Sequence, residues 1–265
     1  MHYDSFVRKA LPAYDLNWRK YRRRQSRRGV HERMNELGLP AYKDYLAYLQ
    51  AHPEEAEALM ERMRVTVTRF FRDRHCWDEL AKTILPRLAG GASGGVLRAL
   101  SVGFAGGEEP YSLALLWKER VQPVHPGLRL DITALDVDET GLARAKAGRY
   151  PPGALKEMDR GMREKWFEPD GAELVLDPEI RGMVEFLILD AVNDDLPGNY
   201  DLVLCRYLIF TYFTGERMRQ ATQRLRQALK PGGALMTGAK EDVPPGLKDI
   251  FSSWPSAPAC FHRRI

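Results

Sequence analysis

The chain has 265 residues, 44% of them apolar and 10% aromatic, with a formal net charge of +4. That composition suits one large domain or a domain with a small appendage, and it excludes a disordered chain. No run of about 18 apolar residues occurs, which excludes a membrane-spanning helix. The opening MHYDSFVRKALPAYDLNW has no apolar signal core, so a cytoplasmic protein is expected. Cys76, Cys205 and Cys260 lie far apart without paired spacing and are expected to be reduced thiols in a core, and no metal is expected.

Residues 1–88 read as a helical N-terminal domain. Eight basic residues (Arg19, Lys20, Arg22, Arg23, Arg24, Arg27, Arg28 and Arg33) fall between positions 19 and 33, with Glu32 as the one acid among them. This run is either a solvated helix face or a docking surface for an acidic partner. It carries few aromatics and no familiar nucleic-acid motif, so nucleic acid is not expected as a partner. In Ala41–Gln50, Tyr42, Tyr45, Leu46 and Leu49 form one stripe at helical spacing. Pro53 opens a second helix with acids in its first turn. A further helix is expected from Asp73 or Arg74 to Leu88, and AGGASGG, residues 89–95, reads as a linker.

From 89 to 265 the pattern changes to alternating strands and helices. Apolar runs at Leu97–Val102, Leu130–Leu135, Val184–Leu189, Asp201–Cys205 and Ala234–Met236 predict strands. Helical stretches lie between most of them, at Tyr111–Val121, Glu139–Ala147 and Gly215–Leu229. The alternation predicts an α/β fold with a mostly parallel sheet covered on both faces. Lys230–Gly233 is expected to be a turn, and 150–183 a small inserted β-subdomain.

The strand ending at Val102 stops at Gly103, and Gly106 and Gly107 follow before the next helix. Strand, glycine loop and helix bring a nucleotide-like ligand against bare backbone, because glycine puts no Cβ in the way. Asp136 ends the second strand, where a carboxylate can grip ribose hydroxyls. Glu108, just past the glycines, can hold a ligand's ammonium group.

Four segments together resemble the CheR family of chemotaxis-receptor methyltransferases. VTVTRFFR (Val65–Arg72) resembles the T-x-F-F-R signature, and GFAGGEEPYSLA (Gly103–Ala114) resembles G-C-S-T-G-E-E-P-Y-S-L-A. DVD (Asp136–Asp138) with AKAGRY (Ala145–Tyr150) resembles D-I-D followed by A-R-x-G-x-Y. Asp201–Phe213 with Leu229–Gly238 resembles C-R-N-V-L-I-Y-F and L-K-P-G-G-x-L-x-x-G. The resemblance implies a small all-helical N-terminal domain and a Rossmann-like S-adenosylmethionine (SAM) domain holding a short β-subdomain. It implies an O-methyltransferase that forms methyl esters on glutamate side chains of chemoreceptor-type proteins, with S-adenosylhomocysteine as product. The implied partner is an acidic helical receptor region that docks on the basic N-terminal helix.

By the same resemblance Arg72 lies at the active site beside the cofactor, and Thr66, Thr68, Gly103, Glu108, Asp136, Arg206 and Tyr207 are cofactor positions. Asp190 and Ala191 take the adenine-side places. Several residues depart from the family pattern. Thr66 replaces an asparagine, Phe104-Ala105-Gly106 replaces C-S-T, and Tyr207 replaces an asparagine. The family tyrosine falls on Thr211 by direct count, or on Tyr212 if one residue is inserted, which makes Tyr212 the candidate active-site hydroxyl. Two rival readings are an acceptor other than a receptor (a different protein or a small molecule) and a SAM-binding module without turnover.

Overall fold

The computed structural model describes residues 1–66, 68–254 and 260–264; Val67, inside the VTVTRFFR motif, lies outside the described residues. The chain forms two compact units, one of residues 1–66 with 209–220 and the other of 67–208 with 221–265. Residues 67–88, read above with the N-terminal helices, thus group with the sheet.

The first unit begins with α1 (Tyr3–Ala10), α2 (Arg24–Glu36), α3 (Tyr42–Ala51) and α4 (Glu55–Arg62). Phe6 stacks on Tyr42 and Tyr45 at 5.5 Å, and Val30, Met34, Leu49 and Leu59 are buried with them. This is the apolar stripe expected for 41–50, closed by partners from its neighbours. Seven of the eight basic residues are exposed, while Arg33 is half-buried. Arg33 is held by Glu55 at 2.7 Å and by Glu36 at 3.0 Å. Arg28 pairs with Glu32 and Arg22 with Asp4.

In the second unit α5 (Arg74–Glu79) runs through a wide turn at Leu80–Ile84 into α6 (Leu85–Gly91), so the first residues of the expected linker are helical. β1 (Val96–Val102), α7 (Glu108–Leu116), β2 (Arg129–Asp136) and α8 (Glu139–Ala147) follow. Asp138 caps α8 by accepting from Thr140 N at 3.0 Å, and Gly148 ends it. β3 (Arg149–Tyr150), α9 (Arg160–Trp166), β4 (Phe167–Asp170) and β5 (Glu173–Leu176) come next, with the strands forming a separate three-stranded sheet in the order β3-β5-β4. α10 (Pro178–Arg181), β6 (Val184–Ile188) and β7 (Tyr200–Leu204) return to the main sheet.

α11 (Ile209–Tyr212) and the first residues of α12 (Gly215–Ala228) belong to the first unit, where the Asp15 carboxylate accepts from Glu216 N and Arg217 N and caps α12. β8 (Leu229–Met236), β9 (Phe251–Ser253) and β10 (Phe261–Arg264) complete the second unit. Lys230–Gly233, expected as a turn, lies inside β8 as an irregularity where the register to β7 shifts.

The seven-stranded sheet has the order β6-β2-β1-β7-β8-β10-β9. Pairs from β6 through β8 are parallel, and β10 pairs antiparallel with β8 and β9. All of β7 is buried, as a strand covered on both faces should be. Strand order reverses between β1 and β7, and the crevice at their carboxyl ends is where such sheets bind ligands.

The expectation of three reduced thiols is corrected for two of them: Cys76 and Cys260 form a disulfide, their Cα atoms 6.0 Å apart, while Cys205 is buried and takes no part in a disulfide. A separation of 184 residues hides this pairing from any spacing argument. Among the described residues the side chains of His75, Cys76 and Cys260 come together as a possible metal group. Sulfurs joined to each other are not thiolate ligands. Among the described residues no helix is long and apolar enough to cross a membrane.

Candidate functional site

The loop after β1 is built by close approach. Gly107 has φ +89°, and a Cβ there would stand 2.8 Å from Ala145 Cβ and 3.1 Å from the Tyr150 hydroxyl. That hydroxyl donates to Gly106 O at 2.8 Å, and Tyr111 donates to Ala145 O at 2.9 Å, so two buried tyrosines pin loop and α8 together. Phe104, one of the departures, is fully buried edge-to-face with Phe186 at 4.9 Å, so its ring fills the core behind the loop.

Asp136 closes β2 beside this loop. One carboxylate oxygen accepts from Ala105 N at 2.8 Å and the other from Val137 N and Asp138 N. Two carboxylate oxygens offer about four acceptor sites, so three backbone bonds leave capacity for a hydroxyl. Burial pushes this carboxyl up, opposed by those three N–H groups. Leu189 N donates to Asp136 O at 3.1 Å, which sets the β6 end next to it. There Asp190 accepts from Val192 N and from the Asn193 amide, and Ala191 is buried.

Glu108 opens α7 with 3% of its surface exposed. Burial pushes its carboxyl up, against the pull of the Arg144 guanidinium 3.3 Å away. Arg144 lies flat over Gly106, where any Cβ would strike it. Sequence reasoning missed Arg144, because nothing in AKAGRY tells which way the residue before it points.

The T-x-F-F-R segment lies in the second unit. Phe70 is fully buried, edge-to-face with Tyr150 and Phe167, and its N donates to Ala154 O. Phe71 N donates to Ser112 Oγ at 2.9 Å. The two phenylalanines therefore anchor the segment to α7 and the small sheet. Phe71 and Asp73 on either side of Arg72 both have positive φ, +52° and +59°, a strained backbone of the kind concentrated at functional sites.

Arg206, after β7, is buried: it donates to Arg72 O at 2.6 Å and Asp73 Oδ2 at 2.8 Å and lies 3.9 Å from Glu109. The Arg72 guanidinium stacks 3.7 Å over the Tyr207 ring, and the Tyr207 hydroxyl donates to Asp73 Oδ2 at 2.6 Å. Leu208 packs on Gly103, joining this cluster to the glycine loop.

The structure thus brings Gly103, Glu108, Asp136, Asp190 and Ala191 to the carboxyl ends of β1, β2 and β6, with Arg72, Arg206 and Tyr207 on the β7 side. Thr68 sits half-buried at the start of that segment. Thr66 and Tyr212 belong to the first unit, where Tyr212 O accepts from Asn17 N and its ring lies 5.2 Å from Tyr21. Asp73, Glu109 and Glu241 were not singled out from sequence. Glu109 was legible as the second acid of GEEP, whereas Asp73 and Glu241 acquire their roles from partners far along the chain. The glycine loop, the buried acid at the head of α7 and the carboxylate at the β2 end fit an adenosyl group joined to an amino acid.

Two family models match the chain. The one described as "CheR methyltransferase, all-alpha domain" matches residues 2–63, and "CheR methyltransferase, SAM binding domain" matches residues 66–260. A chemotaxis protein methyltransferase of Listeria monocytogenes is 30% identical over 90% of this chain and 88% of its own length. A probable chemotaxis protein methyltransferase of Rhizobium etli is 31% identical over 84% and 86%. Chemotaxis protein methyltransferase Cher2 of Pseudomonas putida is 27% identical over 88% of each.

Proposed function

The chain belongs to the CheR methyltransferase family, whose members are SAM-dependent, and from that premise we propose that it esterifies glutamate side chains of chemoreceptor-type proteins in the cytoplasm. The observation that carries this reading is the guanidinium of Arg72, held on the β7 side of the SAM crevice in a segment with strained backbone on both sides. A cation there suits a carboxylate acceptor. Bound SAM supplies an electrophilic methyl group on a sulfonium. A glutamate carboxylate ordinarily titrates well below neutral, so it is already ionised at neutral pH and needs no general base. The work left to the protein is alignment and exclusion of water. In this reading Glu108 holds the ammonium of the methionine moiety, Asp136 the ribose hydroxyls, and Asp190 with Ala191 the adenine side. Arg72 aligns the acceptor.

The exposed arginines around the start of α2 support docking of an acidic helix. Arg23 and Arg24 are exposed, in contrast to Arg33, which its own acids occupy. Reversing Arg23 and Arg24 to Glu is expected to raise the KM for protein acceptor and leave SAM affinity unchanged.

The deciding experiment incubates the full chain with methyl-labelled SAM and a glutamate-rich helical receptor fragment, with calorimetry of SAM binding alongside. Base-labile label released as methanol is expected, and Asp136→Ala should lose both binding and transfer. Label that resists base would overturn the ester reading, and binding without transfer to any protein acceptor would favour a small-molecule acceptor or a non-catalytic module. Tyr212 has its candidacy from the motif; Tyr212→Phe is expected to lower kcat without changing SAM affinity.

A further inference from the structure

Tyr207 stands where the family pattern has an asparagine, and several independent features of this chain accommodate its ring. Its backbone adopts φ +57°, a left-handed conformation unusual for an aromatic residue. Its N donates to Glu241 Oε2 at 2.6 Å, and Gly238 N donates to the same oxygen at 2.9 Å. A Cβ on Gly238 would stand 2.6–2.8 Å from three ring carbons, so the glycine is what lets the ring lie there. At its far end the hydroxyl donates to Asp73, which also receives Arg206 and, at 3.3 Å, Ala239 N. The ring is therefore fixed at backbone, face and hydroxyl.

On that ring lies the Arg72 guanidinium, 3.7 Å from the centroid. A guanidinium is planar and donates only within its plane. We propose that Tyr207, braced by Asp73, is a positioning residue that fixes the plane of the Arg72 guanidinium and so the direction from which it receives an acceptor carboxylate. This rests on the reading of Arg72 as the acceptor-side arginine. Burial and the Asp73 carboxylate push the Tyr207 hydroxyl up to about 12, so it stays a donor at neutral pH. Burial alone would raise the Asp73 carboxyl, but the Tyr207 hydroxyl, Arg206 and Ala239 N outweigh it and hold it below its ordinary value.

The test uses the full chain carrying Tyr207→Leu, which removes ring and hydroxyl, or Tyr207→Phe, which keeps the ring. Tyr207→Leu is expected to lower kcat/KM for the glutamate acceptor about 2- to 30-fold, the range of one guanidinium–ring contact. The comparison is made at saturating SAM, because the family pattern also makes 207 a cofactor position, and Tyr207→Phe should recover most of the loss. In parallel, the Arg72 Nε–Hε nuclear magnetic resonance signal, assigned by its disappearance in Arg72→Lys, should carry a ring-current shift in wild type and Tyr207→Phe. That shift should vanish in Tyr207→Leu. An Arg72 signal unmoved in Tyr207→Leu overturns the proposal, as does an equal fall in SAM affinity and acceptor kcat/KM in both variants. If wild type esterifies no glutamate, the acceptor reading falls, and the resonance arm alone still decides whether Tyr207 positions Arg72.

Discussion

Glu109 is the buried acid whose titration the fold alters most visibly. It accepts from Ser101 Oγ at 2.9 Å, with Arg206 3.9 Å away. Burial pushes its carboxyl up to about 7, with Arg206 and Ser101 pulling against it and Glu241 adding to the rise. A carboxyl raised in the folded state favours folding while it is protonated. Its contribution is present below the ordinary value of 4.5 and is lost as pH rises toward about 7. His262 acts in the opposite sense, since burial lowers it to about 4 and its contribution is lost as pH falls from 6.5 toward that value. The two are separated by difference. The melting temperature of wild type minus that of Glu109→Gln should fall between pH 4.5 and 7, because His262 is common to both. A difference that stays flat across this window would show that Glu109 does not titrate there.

Among the elements, the contact of α2 with α4 is the most sensitive to a single atom. A Cβ at Gly29 would stand 1.9 Å from Arg62 O, a backbone atom that no side-chain rotation can move. Alanine in place of glycine normally favours a helix by about 1 kcal/mol. Overpacking typically costs about 1–3 kcal/mol, and the contact here is with backbone, so packing should prevail. With the packing cost at its upper end, about 2–3 kcal/mol, because backbone cannot rotate away, Gly29→Ala is expected to lower stability by about 1–2 kcal/mol net, read as an earlier transition in thermal or urea unfolding. An unchanged or later transition would mean that α2 and α4 shift apart without loss. The same competition between local and tertiary preference decides element boundaries. Lys-Pro-Gly-Gly has the composition of a turn, yet it lies in β8, because Leu229 pairs with Tyr200 and Ala234 resumes pairing with Leu202.

At the scale of the whole molecule, the Cys76–Cys260 disulfide closes a loop of 184 residues in sequence separation and ties the segment just before β10 to α5. Loops of this size restrict the unfolded chain strongly, and loss of the bond typically costs about 2–5 kcal/mol. Cys76→Ser, or wild type under reductant, should therefore melt several degrees lower, with both treatments giving the same shift. No shift with either would mean that the bond does not constrain the unfolded chain.

What the sequence determined by itself was whatever neighbouring residues control. The apolar runs from Leu97 and Leu130 became β1 and β2, Asp136 ended its strand, and the stretch Glu139–Ala147 became α8. The glycine loop was legible because its chemistry depends on residue types at fixed short spacing, and T-x-F-F-R through its resemblance to the family signature. Tertiary structure alone decided the rest. It grouped 67–88 with the sheet, turned Phe104 into the core, laid Arg144 on Glu108, and joined Asp73 to Tyr207 across 134 positions. Those outcomes depend on which distant segments share a buried boundary, where an unpaired charge or a void is costly. Such a boundary exists only once the sheet has closed around its core.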